Sequence, residues 1–151
     1  YEIEKMAKYI QHRTGFWPNV AVERNTGQGT IHVLSTLNYP NLYRMRIFDS
    51  ITYKESEKIG WLTTESSRRK MLDDLSLASR QGVAKIYYKE VLYQMFSFVV
   101  KKGKPQAESG KKDDLVMATA GAWQLYLTVP LQYADEGEAD WKVDKEKWRF
   151  K

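Results

Sequence analysis

Residues 114 to 128 form a run that is apolar on nearly every side of a helix, entered through Gly110-Lys111-Lys112-Asp113-Asp114 and closed by Pro130. A helix with no polar face cannot ride on a surface, so this stretch predicts a helix buried against a sheet, and the rest of the chain must supply its cover. With 151 residues, 42% of them hydrophobic and 13% aromatic, the chain is long enough to build that cover as one domain.

The preceding residues alternate between helical and extended patterns. Ile3, Met6, Ala7 and Ile10 recur at helical spacing, which predicts an amphipathic helix over residues 2 to 13, stopped before Gly15 and Pro18. Asn19 to Arg24 reads as a short buried strand. Asn25 to Thr30 is a turn, from which Thr30 would cap a helix running to Leu37, halted by Asn38-Tyr39-Pro40. Leu42 to Phe48 alternates as a strand, and Asp49 to Gly60 is a polar excursion. A second amphipathic helix is expected over about 65 to 80, with Met71, Leu72, Leu75 and Ala78 on its apolar face and Gly82 at its end. Ala84 to Tyr88 reads as a strand, Lys89 to Val100 fits helix or strand, and Lys101 to Lys112 is a hairpin-like loop. Strands interleaved with helices imply an α/β domain over residues 1 to 130, followed by a separate tail over 131 to 151. From Asp135 onward that tail mixes six acids and five bases with Trp141, Trp148 and Phe150. It is either packed by its aromatics or kept for a partner.

Composition narrows the chemistry. The chain has no cysteine and only two histidines, His12 and His32, so a metal site would be built from oxygen ligands, which favours Mg²⁺ or Mn²⁺ over Zn²⁺. No apolar run is long enough to span a bilayer, and no signal-peptide pattern opens the sequence, so a soluble, intracellular protein is expected. The net charge of +5 is a mild lean. Its placement is more informative, because five lysines (101, 102, 104, 111 and 112) against Glu108 concentrate positive charge just before the aspartate pair. Such a run is a solvated loop or a contact for an anionic substrate.

Three acids stand out. Glu23 ends the apolar run Val20-Ala21-Val22, where it is either the first solvated residue or a site group. Asp113 and Asp114 open the apolar helix; one of them can be an N-cap, but two adjacent acids exceed that need, and the lysines beside them lower the cost of gathering negative charge. Arg68-Arg69-Lys70 falls at the start of its helix, where the macrodipole disfavours cations. It is a solvated face or a phosphate contact.

Taken in order, Val20-Ala-Val-Glu-Arg-Asn-Thr-Gly, Tyr39-Pro40-Asn41-Leu42-Tyr43, Gly60-Trp61, the Arg68 to Leu75 helix, the Glu90 to Phe98 region and Gly110-Lys-Lys-Asp-Asp-Leu-Val-Met-Ala resemble the nuclease domain of phage terminase large subunits. The similarity spans about residues 1 to 128. It implies a ribonuclease H-like fold, a mixed sheet flanked by helices, that cuts concatemeric double-stranded viral DNA with two acid-bound divalent ions, Mg²⁺ or Mn²⁺, in the cytoplasm of a bacterial host. Glu23 would match the family's second acid and Asp113 or Asp114 its third. Lys104, Lys111 and Lys112, with Arg68 and Arg69, would contact the DNA backbone. The family's motor also brings an ATPase domain, a small terminase subunit and a portal as partners. The chain departs from the pattern in two ways: Lys112 stands where a histidine is usual, and the family's first aspartate belongs to a strand ahead of the opening helix. An N-terminally truncated domain, impaired in metal binding and cleavage when alone, is therefore expected. Two alternatives remain: a non-catalytic module of the same fold that binds DNA or the portal, and an unrelated ribonuclease H-like nuclease.

Overall fold

A computed structural model describes residues 2–101 and 103–130, so the charged and aromatic tail over 131 to 151 lies outside the described residues. The described residues divide into two compact units, one holding residues 2 to 18 and the other Asn19–Pro130. In the first, α1 (Glu2–Thr14) is the expected amphipathic helix, with Glu2 and Glu4 in its first turn and His12 and Arg13 in its last, matching the helix dipole. Gly15 ends it at φ +79°.

The second unit carries the remaining elements: α2 (Gln28–Thr36), β1 (Arg44–Asp49), β2 (Lys54–Ile59), α3 (Glu65–Arg80), α4 (Lys89–Phe96), β3 (Phe98–Lys101), β4 (Lys104–Ala107) and α5 (Asp114–Thr128). The α/β composition agrees with expectation. In place of one mixed sheet, however, the described residues form two separate antiparallel hairpins, β1–β2 and β3–β4, and three isolated parallel bridges.

Those bridges explain why Asn19 to Arg24 is extended without being a named strand. Val20, Val22 and Arg24 present their backbone groups along one edge, as alternate residues of an extended chain do. Val20 exchanges hydrogen bonds with Asn41 and Tyr43, whereas Val22 O and Arg24 N pair with Trp61. The partner changes after two residues, so neither ladder grows beyond one bridge. The segment is half-buried, not buried.

Other boundaries moved for local reasons. α2 starts at Gln28 with Gly27 at its N-cap, so Thr30 lies within the first turn and does not cap it. The expected polar excursion from Asp49 to Gly60 contains β2, whose Lys54-Glu55-Ser56-Glu57-Lys58 has no apolar alternation to announce it. Its register is fixed by pairing from Arg44↔Ile59 to Asp49↔Lys54, and by Asp49 Oδ1, which accepts from the turn amides of Ile51 (2.8 Å) and Thr52 (3.1 Å). Ala84 to Tyr88 forms no strand: Ala84 and Ile86 pack against the helical core, and Tyr88 is the N-cap of α4. The ambiguous stretch from Lys89 to Val100 divides at Ser97 into α4 and β3.

α3 begins with a reciprocal capping box between Thr64 and Ser67 and buries Met71, Leu75 and Ala78. Met71 and Leu75 form the core with Ala120 of α5, flanked by Trp61, Leu72, Met117 and Trp123 among others. α5 thus packs on helices, not on a sheet as its all-round apolar character predicted. Its buried stripe is Val116, Ala120 and Gln124, spaced four residues apart. Gln124 is satisfied by donating to Asp74 Oδ2 at 2.8 Å. The Asp74 carboxyl is held below the usual carboxylate range by the Lys70 ammonium and then by Gln124. No helix among the described residues is long and apolar enough to cross a membrane.

Candidate active site

The end of the extended segment is fixed from several directions. Arg24 N–H donates to Trp61 O (2.7 Å), Gly27 N–H donates to Glu23 O (2.8 Å), and Gln28 Nε2 donates to Arg24 O (3.0 Å). Asn25 continues the pairing with its side chain, donating through Nδ2 to Thr63 O (2.8 Å) and accepting from Thr63 N through Oδ1 (3.1 Å). Gly27 allows this turn to close, because a Cβ there would lie 2.3 Å from Val22 Cγ1 and 2.5 Å from Glu23 O. The Glu-Arg-Asn turn is therefore built around the backbone of Glu23, whose side chain stays exposed.

A cavity of about 590 Å³ opens beside it and brings together residues that the sequence separates by 90 positions. Glu23, Asn19 and Trp61 line one part, Asp113 and Asp114 another, and Arg68 and Met71 of α3 a third. The remaining wall is one stripe of α5. Asp114, Met117, Ala118, Gly121, Ala122 and Leu125 follow the spacing of three and four residues that puts side chains on one helix face. α5 lacks a polar side because it has two faces to serve, one packed on α3 and one walling the cavity.

Asp113 occupies the N-cap position of α5 but makes no side-chain cap hydrogen bond. Gln94 of α4 takes over that duty, its Oε1 accepting from Leu115 N–H at 2.8 Å. The Asp113 carboxylate instead accepts a hydrogen bond from Arg68 Nη2 in an ion pair whose side chains are 29% and 26% exposed. Explaining one aspartate by capping thus fails for Asp113. Gln94→Ala should cost about 0.5–2 kcal/mol, the usual loss when a helix start loses its side-chain acceptor; a urea midpoint equal to that of wild type would show that Asp113 turns inward to cap.

The predicted cations are distributed around this cavity and a neighbouring one. Arg68 lines both; the second, about 320 Å³, is bounded by Glu65, Arg69 and the β3–β4 hairpin around Lys104. Lys104 Nζ pairs with Glu65 at 2.8 Å, and Arg69 Nε stands 3.9 Å from Asp73. Lys111 and Lys112 are exposed on the approach to α5, and His12 and His32 are exposed. Beside Glu23, Arg24 Nη1 and Trp61 Nε1 are buried donors without an acceptor among the described residues.

The three acids share a cavity, but they do not fit a divalent ion as they stand. Among the described residues no group of three or more His, Cys, Asp or Glu could hold a metal, and one oxygen of Asp113 is already engaged by Arg68. Sequence alone marked the three acids and Arg68, the latter by its unfavourable place near a helix start. It gave no signal for Gln94, which lies in the stretch whose pattern fitted two structures.

No protein-family model, curated protein or solved structure matches the chain.

Proposed function

We propose that this chain is the nuclease domain of a viral DNA-packaging terminase large subunit, of ribonuclease H-like fold, which cleaves concatemeric double-stranded DNA endonucleolytically. The observation that carries this reading is the convergence of Glu23, Asp113 and Asp114 on one cavity, with Arg68 inside it. Support also comes from the order of the motifs that resemble that family.

Glu23, Asp113 and Asp114 are the candidate ligands for Mg²⁺ or Mn²⁺ in this reading, although as they stand they form no ion-binding group among the described residues. Arg68, Arg69, Lys104, Lys111 and Lys112 are the candidate contacts for backbone phosphates, which position DNA without reading its sequence. The partners in this reading are DNA, an ATPase domain, the small terminase subunit and the portal, in the cytoplasm of a bacterial host.

The test is Mn²⁺-dependent cleavage of supercoiled plasmid by the protein. Glu23→Gln and Asp114→Asn should each slow cleavage about a hundredfold or more, since each removes charge that fixes the ions. Cleavage unchanged by both would sink the proposal.

A second reading is favoured by the ion pair itself. With Asp113 held by Arg68 and no three-acid group assembled among the described residues, the domain can serve as a non-catalytic module that docks DNA through its lysines. DNA binding that weakens with salt, survives both substitutions and brings no cleavage would select that module.

A further inference from the structure

The outer face of α4 is apolar where a surface helix is ordinarily polar. Val91 is buried, and Gln94 is turned inward to accept from Leu115 N–H of α5. Lys89, Leu92, Tyr93 and Phe96, at the spacing of three and four residues that shares one helix face, are all exposed. Phe96 is 84% exposed, and Tyr87, just ahead of the helix, is 87% exposed beside an exposed Tyr88. Single apolar residues on a surface need no explanation, whereas a gathered set marks an interaction surface. Among the described residues none of these four rings stacks on another aromatic ring, so their faces are open to solvent.

The charges beside the rings are nearly of one sign. Lys85 and Lys89 alternate with the aromatics, Lys101 follows on β3, and Glu90 is the single acid between residues 85 and 101. Lys85 has no ion-pair partner among the described residues, and Lys89 Nζ stands 4.0 Å from Glu90 Oε1, with most of its side chain in water.

We propose that this face of α4 is a platform for single-stranded nucleic acid, on which bases stack against Tyr93, Phe96 and the Tyr87-Tyr88 pair while Lys85 and Lys89 meet the phosphates. The inference stands apart from the acid cavity and from the nuclease reading.

The mixture of side chains selects the partner. Aromatic rings are common in protein–protein interfaces, but lysine is depleted there, because its strongly hydrated ammonium is costly to bury. An unpaired strand asks for both at once, rings for its bases and cations for its backbone. A duplex asks only for the cations, since each base face is covered by its neighbour in the stack. Side chains three residues apart on one helix face stand roughly 5–6 Å apart, so Tyr93 and Phe96 can each take a base of a strand whose own stacking has opened. The net charge of +5 favours approach of the strand. Every base has a face to stack, so binding should show little sequence preference.

The test is fluorescence anisotropy of a labelled oligothymidylate of roughly 16 nucleotides, titrated with the protein alone and again after annealing to its complement. Tyr93→Ala and Phe96→Ala should each weaken single-strand binding about fivefold or more, the loss of one stacked base, and leave duplex binding unchanged. Tyr93→Phe keeps the ring and should bind as wild type does. Lys85→Gln with Lys89→Gln should weaken binding and flatten its salt dependence, a slope that the alanine substitutions leave alone. Phe48, an exposed aromatic on β1, is the control, and Phe48→Ala should change nothing. The platform is overturned if wild type does not bind the strand at low salt, or if both alanine variants bind it as wild type does. Equal losses on strand and duplex, or an equal loss in Phe48→Ala, overturn it too. Self-association of wild type that Phe96→Ala abolishes, with no oligonucleotide binding, gives the face to a second copy of the chain and likewise overturns it.

Discussion

Gly60→Ala should lower the stability of the Asn19–Pro130 unit by about 2–6 kcal/mol, adding the cost of a strained backbone to that of overpacking. Gly60 sits at φ +84°, where L side chains are strained, and an added Cβ would lie 2.6 Å from Val22 O, 2.8 Å from Arg24 Cγ and 2.9 Å from Ile31 Cδ1. The first contact is backbone and cannot rotate away. Relief would require Trp61 to part from Val22, breaking the hydrogen bonds that fix Glu23. A domain stable by only some 5–15 kcal/mol would lose a large share of its margin. The urea midpoint reads the loss, and a shift worth less than about 1 kcal/mol would show that the close approach at Gly60 is not required.

Leu75→Ala should cost about 2–5 kcal/mol, the range for emptying a leucine-sized volume from a packed interior. Leu75 is 2% exposed and sits at the junction of α3 and α5 with Met71 and Ala120. Leu77, two residues on and 56% exposed, is the control: Leu77→Ala should change stability by no more than about 0.5 kcal/mol. Equal losses at the two positions would mean that helix propensity, not the α3–α5 core, dominates the stability of α3.

The helices were legible because their periodicity is strong and their ends are chemically marked. α3 is the clearest case, since Met71, Leu75 and Ala78 fall on one face and Gly82 follows its end. The extended elements were legible only in part. Asn19 to Arg24 has a strand's residues, but its pairing depends on Tyr43 and Trp61, which are remote in sequence. β2 is stabilised by its partner's backbone and carries charged side chains on both faces, so no alternation could reveal it. Ala84 to Tyr88 shows the converse, apolar residues used for packing on helices instead of pairing. For the candidate site, the residue types of Glu23, Asp113 and Asp114 were visible in the sequence. What could not be read was which neighbour each acid would meet. Arg68 is 45 positions from Asp113, and Gln94 is 21 from Leu115.

The two-faced character of α5 also decides how much room the acids command. On the cavity stripe, Asp114 is followed at successive turns by Met117, Ala118, Gly121, Ala122 and Leu125. Three of those five are the smallest side chains available, so the chamber is hollowed out by what the helix omits. Its depth can change by one methyl or isopropyl group at a time at residues 118, 121 and 122 while every carboxylate stays in place. Charge and capacity are thus written on the same helix at separate positions, and one can be altered with the other left intact.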